Sequence, residues 1–190
     1  VTFIIRKKGG GGQLVEKGEI KQRRYHNLMA VRLQKAYEKD KTILKNLYSL
    51  YLHDLSKYTN ELVLGEDGSF HFDELDSFWQ IEGLSPYLIM YEENIIGFLL
   101  LLERPFLKKE YDYGVNDIFI IQAYRGKGLG RQILKQLFIE KQGKYFVIEL
   151  VANEPAVGFW KRVYKELGIK FEEKAELIDN ESCLIQTFCV

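Results

Sequence analysis

Two stretches of this chain carry residue types at spacings that could do chemistry. The first, "YRGKGLGRQILKQLF" over Tyr124–Phe138, sets Gly126, Gly128 and Gly130 among Arg125, Lys127 and Arg131, just before an amphipathic run. The first turn of a helix has unpaired N–H groups and a partial positive charge. Glycines remove the Cβ atoms that would hold an anion away from those N–H groups. The strand-like "NDIFII" precedes the loop, so the pattern is strand, bare loop and cation-flanked helix N-terminus. The ligand that this pattern implies is a phosphate or pyrophosphate. The second stretch, "NEPAVGFWKRVYKELG", starts at Asn153 and again joins a strand end to a helix, with Pro155 suited to the first helical turn.

Spacing separates the kinds of phosphate loop. A Walker loop needs G-x-x-x-x-G-K-[ST], which is not found here, and a dinucleotide fingerprint needs G-x-G-x-x-G where this chain has G-x-G-x-G. A purely structural turn would not call for three glycines, each costing about 1 kcal/mol at a helical position. The spacing that fits is [R/Q]-x-x-G-x-[G/A], as Arg125-Gly126-Lys127-Gly128-Leu129-Gly130. It resembles the acyl-CoA-binding signature of the GCN5-related N-acetyltransferase (GNAT) superfamily. Asn153, Ala156, Phe159 and Trp160 resemble that family's later signature, N-x-x-A-x-x-F-[Y/W]. The Phe-Trp version is similar to that of a bacterial branch of the family, and the resemblance extends over roughly Met29 to Val190.

The resemblance implies a set of roles. The amides of Gly126, Lys127, Gly128, Leu129, Gly130 and Arg131, beside Arg125, would bind the pyrophosphate of acetyl-CoA. The fourth and fifth strands, "DIFII" and "VIELV", would splay where the acyl donor inserts. A bulge in the fourth would expose main-chain groups near Phe119 and Ile120 to the pantetheine arm and the thioester carbonyl. Asn153 and Trp160 would flank the arm. The implied reaction is direct attack of a primary amine, of a small molecule or a protein, on acetyl-CoA in a ternary complex, with no metal. Many members carry Tyr where this chain has Trp160, and indole cannot protonate a thiolate. Tyr164, one turn later on the same helix face, is left as the acid or as a core residue. Asp117 opens the fourth strand as a candidate base, with Glu149 on the neighbouring strand. Tyr51, Tyr58, Phe78, Trp79 and Tyr87 are candidate acceptor-pocket walls, with Asp54, Glu74 and Asp76 able to attract a cationic amine. A second reading, suggested by Trp160, is a sensor that binds CoA or acyl-CoA without turnover.

The elements that must position these residues follow from periodicity. "VRLQKA" alternates as a strand, and Ile43, Leu44, Leu47, Tyr48, Tyr51 and Leu55 recur at helical spacing. "LGEDGSFHF" is a loop and "DELDSFWQI" a short helix. "PYLIMYEENIIGFLLLLER" is a hairpin around a Glu-Asn turn, with Gly97 in its second strand. "VNDIFII" and "YFVIELVA" are buried strands, each followed by a helix, and "KFEEKAELI" and "SCLIQTFCV" close the chain as strands. The order predicts a mixed α/β (α+β) fold, and the resemblance implies that it is of the GNAT type: a mostly antiparallel central sheet of six to seven strands, flanked by about four helices and splayed between strands 4 and 5.

Bulk properties narrow the partners. The 190 residues suit one domain, expected over 29–190. Residues 1–28, with a four-glycine run at Gly9–Gly12, are expected to be an extension outside it, or alternatively an added hairpin. A formal net charge of +0 argues against a nucleic-acid partner. No apolar run reaches the ~18 residues of a membrane span, so no membrane partner and a cytoplasmic setting are expected. Cys183 and Cys189 are too few for a disulfide framework, and His26, His53 and His71 have no metal-binding spacing. The exposed C-terminal strands leave a homodimer open.

Overall fold

The computed structural model describes residues 31–190 apart from His71 and Lys108. The expected boundary near Met29, the glycine run and His26 lie outside the described residues, as does His71. Among the described residues seven strands form one sheet: β1 Val31–Lys35, β2 Leu84–Tyr91, β3 Asn94–Glu103, β4 Tyr113–Ile120, β5 Lys144–Leu150, β6 Phe171–Ile178 and β7 Glu181–Cys189. Their order across the sheet is β1-β2-β3-β4-β5-β7-β6. Neighbours run antiparallel except β4 and β5, which are parallel. Among the described residues four α-helices flank the sheet: α1 Lys41–Leu55, the short α2 Ser77–Gln80, α3 Leu129–Glu140 and α4 Glu154–Leu167. The hairpin turn falls at Glu92–Glu93, and Asn94 already begins β3, one residue off the expected Glu-Asn turn.

Each face of the sheet carries its own core. On one face α3 and α4 lay Leu129, Ile133, Leu134, Leu137, Phe138, Trp160, Val163 and Tyr164 against Leu99, Leu101, Val115, Tyr145 and Val147. On the other, α1 and α2 lay Leu44, Tyr48, Leu52 and Phe78 against Leu88, Phe98, Leu100 and Phe119. At roughly 1.5–3 kcal/mol for each large apolar side chain buried, these two layers outweigh any single polar contact described below.

Two irregularities shape β4. Its pairing with β3 shifts register between Leu100/Asp117 and Leu101/Val115, so Asn116 is an extra, bulged residue. A one-residue bulge reverses which face the following side chains occupy. Val115 therefore belongs to the α3/α4 core and Phe119 to the α1/α2 core. The second irregularity is the parallel pairing with β5, which runs only from Tyr113/Tyr145 to Val115/Val147 and then stops. Beyond it the two strands part, as expected between strands 4 and 5.

Gly97 in β3 is required by this arrangement. A Cβ built on it would lie 1.9 Å from the Phe119 carbonyl oxygen of β4. Gly97→Ala is expected to destabilise the fold by about 2–3 kcal/mol, the range for forced overpacking, as a lower urea midpoint at unchanged slope. An unshifted midpoint would mean that β3 and β4 separate there without cost.

Candidate active site

The parting of β4 and β5 opens a cleft of about 860 Å³ between α1, the loop before α3, and α4. Asp117, Phe119, Ile120, Arg125, Gly126, Gly128, Leu129, Gly130, Arg131, Asn153 and Trp160 all line it. Residues from three separate chain segments, chosen by type and spacing, thus meet in one cavity. Lys127 and Tyr164 are not among the lining residues.

The loop before α3 presents bare backbone. Gly126 (φ 75) and Gly128 (φ 73) adopt the left-handed conformation that costs other residues energy. Gly128 is the N-cap of α3 and has no side chain to cap with. The first backbone bond of the helix runs from Gln132 N–H to the Gly128 carbonyl, 3.1 Å, so the N–H groups of residues 129–131 precede the ladder. Gly130 has a different job: its missing Cβ admits the Phe159 ring of α4, which would lie 3.2 Å away. The three glycines thus divide between turning the backbone and packing one helix against another.

The cations around the loop also divide. Arg131 pairs with Glu166 of α4. Lys127 lies over the Tyr124 ring at 5.0 Å. Arg125 donates from Nε to the Ile120 carbonyl at 2.6 Å and pairs through its other nitrogen with Asp54 of α1 at 2.5 Å. It also lies 5.2 Å over the Phe119 ring. Arg125 therefore ties the loop to the end of β4 and to α1.

Main-chain alternation decides which β4 groups face the opening. Ile121 N–H donates to Ile96 of β3 at 2.9 Å. Successive residues of a strand direct N–H and C=O to opposite edges, so Phe119 faces β3 while Ile118 and Ile120 face the open edge. The expected pair of exposed amides at Phe119 and Ile120 becomes Ile118 and Ile120. The expected bulge lies earlier, at Asn116, where its effect is on side-chain direction.

Asp117 is partly buried on the α1 face of the cleft. Its carboxylate accepts from Tyr48 Oη at 3.0 Å and Asn116 Nδ2 at 2.7 Å, and the Tyr51 hydroxyl acts on it from the same side. Burial raises its pKa above the usual carboxylate range, against the opposing pull of the Tyr51, Asn116 and Tyr48 hydrogen bonds. Glu149 occupies the other face. It is 7% exposed, lines the cleft, and neither carboxylate oxygen has a hydrogen-bond partner. Burial, and secondarily the charge of Glu173, push its pKa up to about 7, with Lys161 opposing.

α4 is capped by Asn153, whose Oδ1 accepts from Ala156 N–H at 3.3 Å, and Pro155 follows in the first turn. Trp160 is buried at the cleft wall and stacks on Tyr164 at 5.9 Å. Tyr164 is 1% exposed and donates its hydroxyl proton to Gln186 Oε1 at 2.8 Å. Gln186 in turn donates to Glu173 at 2.7 Å. Burial first, then the charges of Glu149 and Glu173, raise the Tyr164 pKa well above that of a free phenol. This placement is that of a core residue and is poorly suited to a proton donor for the cleft.

Of the candidate acceptor walls, Tyr51 and Tyr58 line the cleft, with Asp54 beside them. Phe78 and Trp79 belong to the α1/α2 core, and Tyr87 packs against the α3/α4 core. Asp76 pairs with Lys41 and Lys45. Sequence reading missed Cys183 as a wall residue and Arg162 near the cleft; neither belongs to a motif that would have marked it. Among the described residues, no group of His, Cys, Asp or Glu is arranged to hold a metal ion, and no helix is long and apolar enough to cross a membrane.

Comparison with known proteins agrees with this geometry. Solved structures with a similar fold include an acetyltransferase from Thermus thermophilus, at 13% identity and TM-score 0.61 over 86% of this chain and 99% of that one. The ribosomal-protein-S18-alanine N-acetyltransferase from Escherichia coli matches at 13% identity and TM-score 0.54, covering 84% and 94%. An aminoglycoside acetyltransferase, AAC(6')-Ib, solved in complex with coenzyme A and kanamycin, matches at 18% identity and TM-score 0.57, covering 84% and 95%. At these identities the likeness is one of fold. No curated protein sequence matches the chain significantly. The model of the acetyltransferase (GNAT) family matches residues 44–164, which span both glycine loop and α4, and the chain belongs to that family.

Proposed function

We propose that this acyltransferase moves the acetyl group of acetyl-CoA to a primary amine by direct attack in a ternary complex. The observation that carries the proposal is the convergence, in one cleft, of a bare helix N-terminus, an open strand edge and two carboxylates with raised pKa values. The residues present fit acetyl-CoA, which supplies the activated acyl group. The N–H groups at the start of α3 suit its pyrophosphate. The Ile118 main-chain groups and the Ile120 N–H suit its amide-bearing arm, as an added strand would pair; the Ile120 carbonyl is taken by Arg125. An open-edge N–H from β4 can donate to the carbonyl oxygen as that oxygen gains negative charge.

The amine must lose a proton to form a neutral amide. Asp117 takes it on the α1 face, where Tyr48 and Asn116 hydrogen-bond its carboxylate and Tyr51, Tyr58 and Asp54 wall the approach. A carboxylate with a raised pKa is a better base than an ordinary one. Two of the structurally similar enzymes are named for amine acceptors, an aminoglycoside and an alanine of a ribosomal protein. That range supports an amine acceptor and leaves both small molecules and proteins as classes to screen.

The test is release of free thiol from acetyl-CoA by the purified protein across a panel of aminoglycosides, polyamines and peptides. Amine-dependent release supports acetyl transfer. Tight CoA binding with no release from any amine would favour a sensor. Tyr164→Phe is expected to retain kcat within about threefold while losing about 1 kcal/mol of stability with its hydrogen bond to Gln186. A kcat loss beyond tenfold would return Tyr164 to the chemistry.

A further inference from the structure

Resting on the acetyltransfer reading above, we propose that Glu149, unbonded on the α4 face of the cleft, protonates the sulfur that leaves when the acetyl group is transferred. The geometry comes from the bulge at Asn116. Asp117 and Glu149 each lie two residues beyond the last paired positions, Val115 and Val147. Without the bulge both would point to the same face, as Val115 and Val147 do. The extra residue sends Asp117 to the α1 face, against Tyr48 and Tyr51, and leaves Glu149 on the α4 face. One carboxylate therefore serves each side of the opening.

The two groups are prepared differently. Burial raises the Asp117 pKa, but Tyr48 and Asn116 donate hydrogen bonds to its carboxylate that oppose the rise. Glu149 has none for either oxygen although it is 7% exposed. A buried carboxylate without donors is costly, and a buried carboxylic acid far less so. The groups acting on Glu149 are Glu173 of β6, Lys161 of α4 and, across the same space, the Tyr164 hydroxyl of α4. On β7 the residues on that face are uncharged: Leu184 opposite Glu149 and Gln186 opposite Val147. Burial and Glu173 outweigh Lys161, so Glu149 holds a proton near neutral pH. Trp160, on the same wall, has no acidic proton to offer a sulfur, and the Tyr164 hydroxyl is spent on Gln186.

The step balances. The amine nitrogen forms a bond to the acetyl carbon, and its surplus proton goes to Asp117. The carbon–sulfur bond breaks with its electron pair on sulfur, and sulfur takes the Glu149 proton. Glu149 is then reset from solvent as Asp117 gives its proton up, and the products are the acetamide and free thiol.

The first readout needs no ligand. Glu149→Gln copies the protonated shape. A carboxyl whose folded pKa is raised contributes stability that is complete below its unfolded pKa and lost as pH rises through the folded value. Between pH 5 and pH 8.5, the melting temperature of Glu149→Gln is therefore expected to rise relative to wild type. A difference that does not change with pH would show an ordinary ionised glutamate and overturn the proposal. The second readout is the ratio of wild-type to Glu149→Gln kcat with acetyl-CoA and one accepted amine. That ratio cancels the amine's own ionisation. It is expected to be about ten- to a hundredfold at pH 6 and to fall as pH rises through about 7. A ratio that grows with pH would make Glu149 a base, and a ratio near one at all pH values would make it structural; either overturns the proposal. If wild type releases no thiol with any amine of the panel, the acetyltransfer reading fails and this inference with it. Wild-type turnover with an unaffected variant sinks this inference alone.

Discussion

Gly128→Glu is expected to bind acetyl-CoA at least about a hundredfold more weakly than wild type. Gly128 is the N-cap of α3 in the left-handed region, and the N–H groups of residues 129–131 open beside it without a ladder partner. A hydrogen bond to a charged group contributes about 1.5–3 kcal/mol, and about 1.4 kcal/mol is tenfold in affinity. Losing two such bonds to a pyrophosphate therefore exceeds a hundredfold. A glutamate there would also compete for Arg131, whose guanidinium would lie about 3.3 Å from the new Cβ. Gly128→Ala separates the causes, because it carries the left-handed strain, about 1–2 kcal/mol, without the charge. Calorimetry at fixed ionic strength on the three proteins reads both effects. Equal affinity in Gly128→Glu and wild type would remove the pyrophosphate from this loop.

Asp117→Asn is expected to lose about a hundred- to a thousandfold in kcat/KM at pH 7.5, the range for removal of a positioned base. Asparagine can still accept from Tyr48, so the wall of the cleft survives while the proton acceptor does not. The pH profile provides the stricter test. Burial raises the Asp117 pKa above the usual carboxylate range, so wild-type activity should fall on acidification along a limb displaced upward from an ordinary aspartate. Asp117→Asn should lack that limb. Stability should move the other way. The folded state favours protonated Asp117, whose contribution is complete below the unfolded pKa and is lost as pH rises through the folded one. The variant should therefore melt no lower than wild type at neutral pH. A large fall in melting temperature would mean that Asp117 holds α1 to β4 as a charge, and the kinetic loss would then report packing.

The motif residues were legible in the sequence because local backbone demands select residue types. Only glycine accepts φ values of 75 and 73 at positions 126 and 128 without strain, so a phosphate-ready turn leaves its mark in composition. Asn153 and Pro155 mark the start of α4 for the same kind of reason: a short side chain that caps and a ring that fixes φ. Alternation and helical spacing sufficed for the order of the strands and helices, because each buries one face.

What the sequence by itself determined was thus the family, the order of elements, the glycine turn before α3 and the cap of α4. The tertiary structure alone decided which side chains face the chemistry. Asn116 looks like any residue in a strand, yet its bulge reverses the direction of Asp117 relative to Val115. Tyr164 has the right type and helix face for an acid, but β7 brings Gln186 to its hydroxyl from 22 residues away. Glu149 resembles any strand carboxylate until the fold buries it at the cleft wall and leaves both oxygens unbonded. The bulge shows only in the register against β3, and the other two properties depend on contacts between residues distant in sequence. Periodicity and motif spacing are short-range signals that do not record such contacts.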